Sequence, residues 1–262
     1  MGSATTQALA ASTAALDAAS DVDLGVAGEL FAAGRALADT PQLSGALADW
    51  GASDHARATV VASVFQSLGQ TSRALLDTVA RERWSSASDL VDAVEELAIR
   101  AAAAADTSAD VEGELFRFAR IVAGDPQLEL ALGSRLGDPD EKGRLVATLL
   151  SSRASAATTL IASSVVQRPR ERRVRELLAR AERIVASARG RAVATVTSAV
   201  PLGAAQIDRI AAMLKAKYDA DVSVNTVVDP TLVGGLRVQI ADDVIDATVA
   251  SRLSDLRHRL AG

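Results

Sequence analysis

Apolar residues recur at helical spacing through most of this chain and alternate only near its end. Val174, Leu177, Leu178, Ala181, Ile184 and Val185 fall at i, i+3, i+4, i+7, i+10 and i+11, which lines one face of a helix. Leu90, Val94, Leu97 and Ala101 predict an equivalent helix upstream, with Glu95 and Glu96 turned towards water. Thr40-Pro41 and Asp125-Pro126 each place a capping oxygen ahead of a proline at the first helical position, where the missing N–H costs nothing. Asp138-Pro139 repeats the device and adds Glu141 three residues after the cap. Ser72 and Ser88 are further candidate caps. From Gly190 the pattern changes. Ala192 to Val200 alternates through Val193, Thr195 and Thr197 and predicts a strand that Pro201 ends. A helix follows over Ala204 to Tyr218, with Ile207, Ile210, Ala211 and Leu214 on one side. Strands are expected over Val222 to Val228 and Leu236 to Ile240. Asp242-Asp243 turns into a short Val244-Ile245 strand, and a last helix presents Val249, Leu253, Leu256 and Leu260.

The helical part contains an internal repeat. Gly28-Glu29-Leu30-Phe31 reappears as Gly113-Glu114-Leu115-Phe116, and Pro41-Gln42-Leu43 as Pro126-Gln127-Leu128, both at an offset of 85. Residues 28–47 and 113–132 are identical at eleven of twenty positions, which marks a duplication. The expected fold class is therefore α+β: two tandem, related α-helical bundles (1–106 and 107–190), followed by a small C-terminal α/β domain (191–262).

Composition narrows what such a chain does. Hydrophobic residues make up 49% and aromatics only 3%, so the core is built from Ala, Leu and Val, which suits closely approaching helices. A net charge of −5 gives no general reason to expect nucleic acid as a partner. Cysteine is absent, which removes disulfides, thiolate metal sites and a cysteine nucleophile. No apolar run approaches the ~20 residues that span a bilayer, so no direct membrane insertion is expected. The first twenty residues lack a basic region ahead of an apolar one, so no secretory signal is read there.

Candidate chemistry is sparse. His55 and His258 stand on polar stretches without a second histidine at ligand spacing. Asp138-x-Asp140 with Gly143 begins like a calcium loop, but Lys142 and Leu149 occupy ligand positions, so helix capping is the better reading. No phosphate-cradling glycine motif and no nucleophile elbow occurs. Glu95/Glu96 and Asp242/Asp243 are adjacent pairs; helical neighbours point about 100° apart, a poor acid/base dyad. No catalytic residue, cofactor or metal site is expected. Between Arg168 and Arg191 nine arginines face three glutamates, the face of a long helix or a contact for an acidic partner.

The stretch Val228-Asp229-Pro230-Thr231-Leu232-Val233-Gly234-Gly235-Leu236-Arg237, continuing through Asp243-Val244-Ile245-Asp246 to Arg252-Leu253, resembles the signature of the delta subunit family of F-type ATP synthases. This family includes the oligomycin-sensitivity-conferring protein. Ala241 and Ala247 stand where it often has glycine. Typical members are about two-thirds as long, with one bundle instead of two. The resemblance implies a non-catalytic stator subunit in the peripheral stalk, on the cytoplasmic face of a bacterial membrane. It implies partners as well: the N-terminal helices of alpha subunits and the C-terminal end of the b subunit. In the family the first and fifth helices of the bundle clasp the alpha helix. Carried onto this chain, these are Ala4 to Ala18, with Leu9 and Leu16, and Ser72 to Arg83, with Leu75, Leu76 and Val79. Asp229, Pro230, Gly234, Gly235 and Asp246 would be the structural motif of the last domain. Three readings outside the family stay open on the residues alone: a cytoplasmic helical adaptor, a polyanion-binding protein using the arginine-rich 168–191 segment, and an enzyme, which a pocket of converging polar side chains would support.

Overall fold

Ala- and Leu-rich stripes at helical spacing bury best against one another, and the chain folds accordingly. The computed structural model describes residues 2–134, 136–169, 173–240, 243–246 and 248. Among them are twelve helices and a small four-stranded sheet near the C-terminus. The helices up to the sheet are α1 (Ser3–Asp17), α2 (Leu24–Asp39), α3 (Pro41–Ala48), α4 (Asp54–Val64), α5 (Gln70–Arg81), α6 (Ala87–Ala105), α7 (Val111–Gly124), α8 (Pro126–Gly133), α9 (Pro139–Leu150), α10 (Ala156–Val165) and α11 (Val174–Ala188). Strand β1 (Arg191–Ser198), α12 (Ala204–Tyr218), β2 (Asp221–Val228), β3 (Leu236–Ile240) and β4 (Asp243–Asp246) complete them. The expected last helix through Val249 and Leu260 lies outside the described residues. Contacts divide the chain into two compact units, Met1–Ile184 and Val185–Gly262.

In the first unit α6 is the central element. It packs on α1, α2, α3 and α5, and also on α10. Leu90, Val94, Leu97, Ala98, Ile99, Ala101 and Ala102 are all buried, so almost every side of the helix is covered. The expectation that Glu95 and Glu96 face water is therefore overturned. Their side chains are only 19% and 9% exposed. A helix enclosed on most sides leaves no wet face, and a carboxylate in such a place needs a cation. Arg100 supplies one to Glu96 at 2.9 Å, and Arg180 of α11 supplies another to Glu95 at 2.9 Å and to Glu96 at 3.7 Å.

The helix register follows the repeat. Moved by 85 residues, α1 falls on 88–102, inside α6, and α6 falls on 172–190, over α11. α1 packs on α5, and α6 packs on α10, the corresponding pair. Buried positions correspond as well: Thr5, Ala8, Ser12 and Leu16 of α1 map onto Leu90, Ala93, Leu97 and Ala101 of α6.

Helix ends show where local signals suffice. Asp125 accepts from the N–H groups of Gln127 and Leu128, and Asp138 from those of Asp140 and Glu141. Thr40 makes no side-chain cap; it also ends α2, its own N–H donating to the Ala36 carbonyl. Ser72 and Ser88 are not caps. The N-caps are Gly69 and Ser86, so the fifth helix runs over Gln70–Arg81 and Ser72 is buried inside it. The reason is tertiary: Glu29 accepts the Gly69 N–H at 2.9 Å and fixes the chain reversal from outside. Glu114, the residue equivalent to Glu29, does the same ahead of α10, accepting the N–H of Ser155 at 2.9 Å and its hydroxyl at 2.7 Å.

In the second unit, Gly190 (φ 66°) turns the chain out of α11 in a conformation that side chains disfavour. Its sheet has the order β2-β1-β3-β4, with β1 and β2 parallel and the other pairs antiparallel. α12 connects the parallel pair, as a parallel crossover requires. Ile210 and Leu214 of α12 pack on Ala194 and Val196 of β1 and on Val238 and Ile240 of β3. This is a modest core.

Candidate functional site

Surfaces are the candidate sites that the described residues offer. No group of three or more His, Asp or Glu side chains that could hold a metal ion occurs among them. No helix there is long and apolar enough to cross a membrane. His55 is exposed on α4, and His258 lies outside the described residues.

The first surface is the seam of α1 with α5. α1 is pinned to the start of α6 by Thr5, which donates to Asp89 at 2.8 Å and accepts the N–H of Ser85 at 3.2 Å. Leu9 is half-exposed, while Leu16, Leu75, Leu76 and Val79 are buried in the core. Of the five residues, only Leu9 reaches the surface without rearrangement. The exposed positions beside it are small or polar, Thr6, Gln7 and Ala10 on α1 and Arg73 and Ala74 on α5.

The second surface is the turn from β2 to β3. Asp229 donates its N–H to the Ser198 carbonyl, and its carboxylate accepts both the hydroxyl and the N–H of Thr231. Those two bonds from Thr231 hold the Asp229 carboxyl below its usual range. Pro230 follows, and Gly235 takes φ 83°, a left-handed conformation that a Cβ would strain. Asp246 of β4 accepts the Thr248 N–H and stands opposite Arg237 of β3, where the two pair at 3.3 Å. Its carboxyl is likewise held low, first by Thr248 and then by Arg237.

Two charged clusters complete the inventory. Arg57 is buried, pairs with Asp54 at 2.6 Å and lies against the exposed Trp50, over which Arg83 also sits. The arginine-rich segment is partly engaged internally: Arg180 holds Glu95 and Glu96, and Arg168 donates to the Ala38 carbonyl at 3.5 Å. That leaves fewer guanidiniums for an outside polyanion than the sequence count suggests.

A third surface escaped the sequence reading. Phe118, Ile121, Leu128, Leu149 and Leu150 line an open, largely apolar groove between α7, α8 and the end of α9, with Glu114, Arg117 and Arg153 also lining it. The available signal was the repeat itself, since Ile121 stands where the first copy has Ala36.

Comparison with known proteins agrees over the whole length. The model for the ATP synthase delta (OSCP) subunit matches residues 97–260. The ATP synthase subunit delta of Leifsonia xyli subsp. xyli is 48% identical, covering 100% of both chains. That of Streptomyces avermitilis is 40% identical over 98% of each. That of Kineococcus radiotolerans is 41% identical over 97% of this chain and 95% of its own. One chain of the cryo-EM structure of the Toxoplasma gondii mitochondrial ATP synthase hexamer aligns with 64% of this chain at 14% identity and a TM-score of 0.38, too slight a likeness to bear on the fold.

Proposed function

The chain belongs to the ATP synthase delta (OSCP) family, and on that premise we propose that it is a non-catalytic peripheral-stalk subunit, a stator holding the catalytic head still against rotor torque. The observation that carries this reading is the 48% identity to a delta subunit over the full length of both chains. The helical unit also offers long faces for other helices.

Within that role the helical part consists of two related units, 1–106 and 107–190, followed by the 191–262 domain. α6 closes the first unit and packs on α10 of the second. The equivalent bonds of Glu29 to Gly69 and Glu114 to Ser155 support the relationship. The α1–α5 seam, with Leu9 at its surface and Leu16, Leu75, Leu76 and Val79 supporting it from within, receives the N-terminal helix of an alpha subunit. The Asp229, Pro230, Gly234, Gly235 and Asp246 turn shapes the domain that meets the C-terminal end of the b subunit. The chain associates with the cytoplasmic face of the bacterial membrane only through these partners.

The test is affinity purification of the tagged full chain from membranes solubilised in mild detergent, with quantitative mass spectrometry. Alpha and b subunits should be recovered near the stoichiometry of an assembled complex. Recovery of the chain without them would overturn the reading.

A further inference from the structure

We propose that the apolar groove of α7, α8 and α9 is a docking site for an acidic amphipathic helix, separate from the α1–α5 seam. Its floor is exposed in an unusual way. Ile121 is 60% and Leu149 42% exposed, and both line a groove instead of standing singly on a convex face. Leu130, on the neighbouring α8, is 73% exposed. The repeat makes the comparison internal. At two equivalent positions the first copy carries Ala36 and Gly45, so the fold does not require large apolar residues there. The second copy, which places Ile121 in the groove instead, has gained apolar surface there for something to cover.

The rim says what covers it. Arg117 from α7 and Arg153 beyond α9 contribute two guanidiniums, and Arg120 is exposed one turn along α7. The one lining carboxylate, Glu114, is already occupied by Ser155 and Thr158. Arg117 does pair with Asp110 at 3.2 Å, but both side chains are more than half exposed, and such a pair exchanges readily for another carboxylate. The rim is thus basic on a chain whose net charge is −5. An apolar stripe flanked by Asp or Glu satisfies both floor and rim. Helices and the turn after α9 form the groove's walls, with no sheet edge among them to accept an extended strand, and a helix is the fitting occupant.

The test uses the full chain and a fluorescein-labelled peptide of about 18 residues, five helical turns, carrying a leucine stripe flanked by glutamates. A control peptide keeps the stripe and replaces glutamate with lysine. Fluorescence anisotropy should show the acidic peptide binding at least about tenfold more tightly than the control. Ile121→Ala combined with Leu149→Ala should weaken it by about tenfold or more, and Arg117→Glu combined with Arg153→Glu should reverse the preference. Arg209→Glu, on α12 of the sheet domain, should leave the acidic peptide's affinity within about twofold, and thermal melting should show every variant folded. Equal binding of both peptides, no binding, or binding indifferent to the Ile121/Leu149 change would overturn the proposal. So would self-association in sedimentation that Ile121→Ala abolishes, since a second copy would then be the occupant. A chain that still co-purifies with alpha and b but ignores the peptide loses the groove and keeps the stator role.

Discussion

Arg180 and Glu95 are 85 residues apart, the offset of the repeat, and their side chains meet at 2.9 Å. Equivalent points on α6 and α11 thus hold each other. Both side chains are largely buried, at 17% and 19% exposure, so each neutralises a charge that water reaches poorly. Arg180→Met should destabilise the helical unit by about 2 kcal/mol, less than a fully buried pair because some solvent screening remains. Urea denaturation of Arg180→Met, Glu95→Gln and the double variant reads the coupling, expected near 1 kcal/mol. A coupling indistinguishable from zero would mean the pair is solvated.

Glu114 makes stability depend on pH in a defined direction. Burial pushes its carboxyl up, but hydrogen bonds from Thr158, the Ser155 hydroxyl and the Ser155 N–H, helped by Arg117, outweigh it and leave the folded value below the ordinary one. A depressed carboxylate stabilises the fold above the unfolded pKa, near 4.3, and that contribution is lost as pH falls through the folded value. Glu114→Gln should therefore cost about 1–2 kcal/mol at pH 7. The gap from the wild type should close as pH is lowered below about 4. A gap that persists unchanged in acid would assign the cost to packing.

Gly235 lies at φ 83° between the Asp229 turn and β3. Gly235→Val should destabilise the sheet domain by about 1–3 kcal/mol and weaken b-subunit binding, while the helical unit stays folded. Hydrogen exchange resolved along the chain tests this: faster exchange should be confined to 191–240. A variant that exchanges and binds like the wild type would remove the strain argument.

Leu9 is the one groove candidate at the surface of the α1–α5 seam. Leu9→Glu should change the melting temperature little, since a half-exposed site costs about 0.5 kcal/mol or somewhat more. A carboxylate held against an apolar partner helix costs several kcal/mol. Calorimetry with a peptide from the alpha N-terminus should therefore show a large loss of affinity. Undiminished affinity would move alpha docking off this seam.

Punctuation decided what could be read from the chain. α12 runs over Ala204–Tyr218 and β3 over Leu236–Ile240, residue for residue as the pattern predicts, because Pro201 and Gly234-Gly235 mark where each neighbouring element must stop. The buried face of α11 was equally legible from its apolar spacing. Ser72 misled because a residue-type rule cannot see Glu29, forty residues away, holding Gly69. Glu95 and Glu96 misled because acidic residues ordinarily mark the wet face, and only tertiary packing reveals a helix without one. Ile121 and Leu149 were invisible for a similar reason. Apolar residues at helical spacing read as core until the surrounding helices fail to cover them.

The double membership of α6 bears on how such a chain lengthens. A helix that packs on α1, α2, α3 and α5 on one side of the sequence and on α10 on the other is both terminus and primer. At the 85-residue offset α10 docks on α6 as α5 docks on α1, and α10 also meets α2, so the helices that follow α6 rest on those that precede it. A fragment starting at 107 would consequently lack its own first wall, whereas one starting at 86 would carry it.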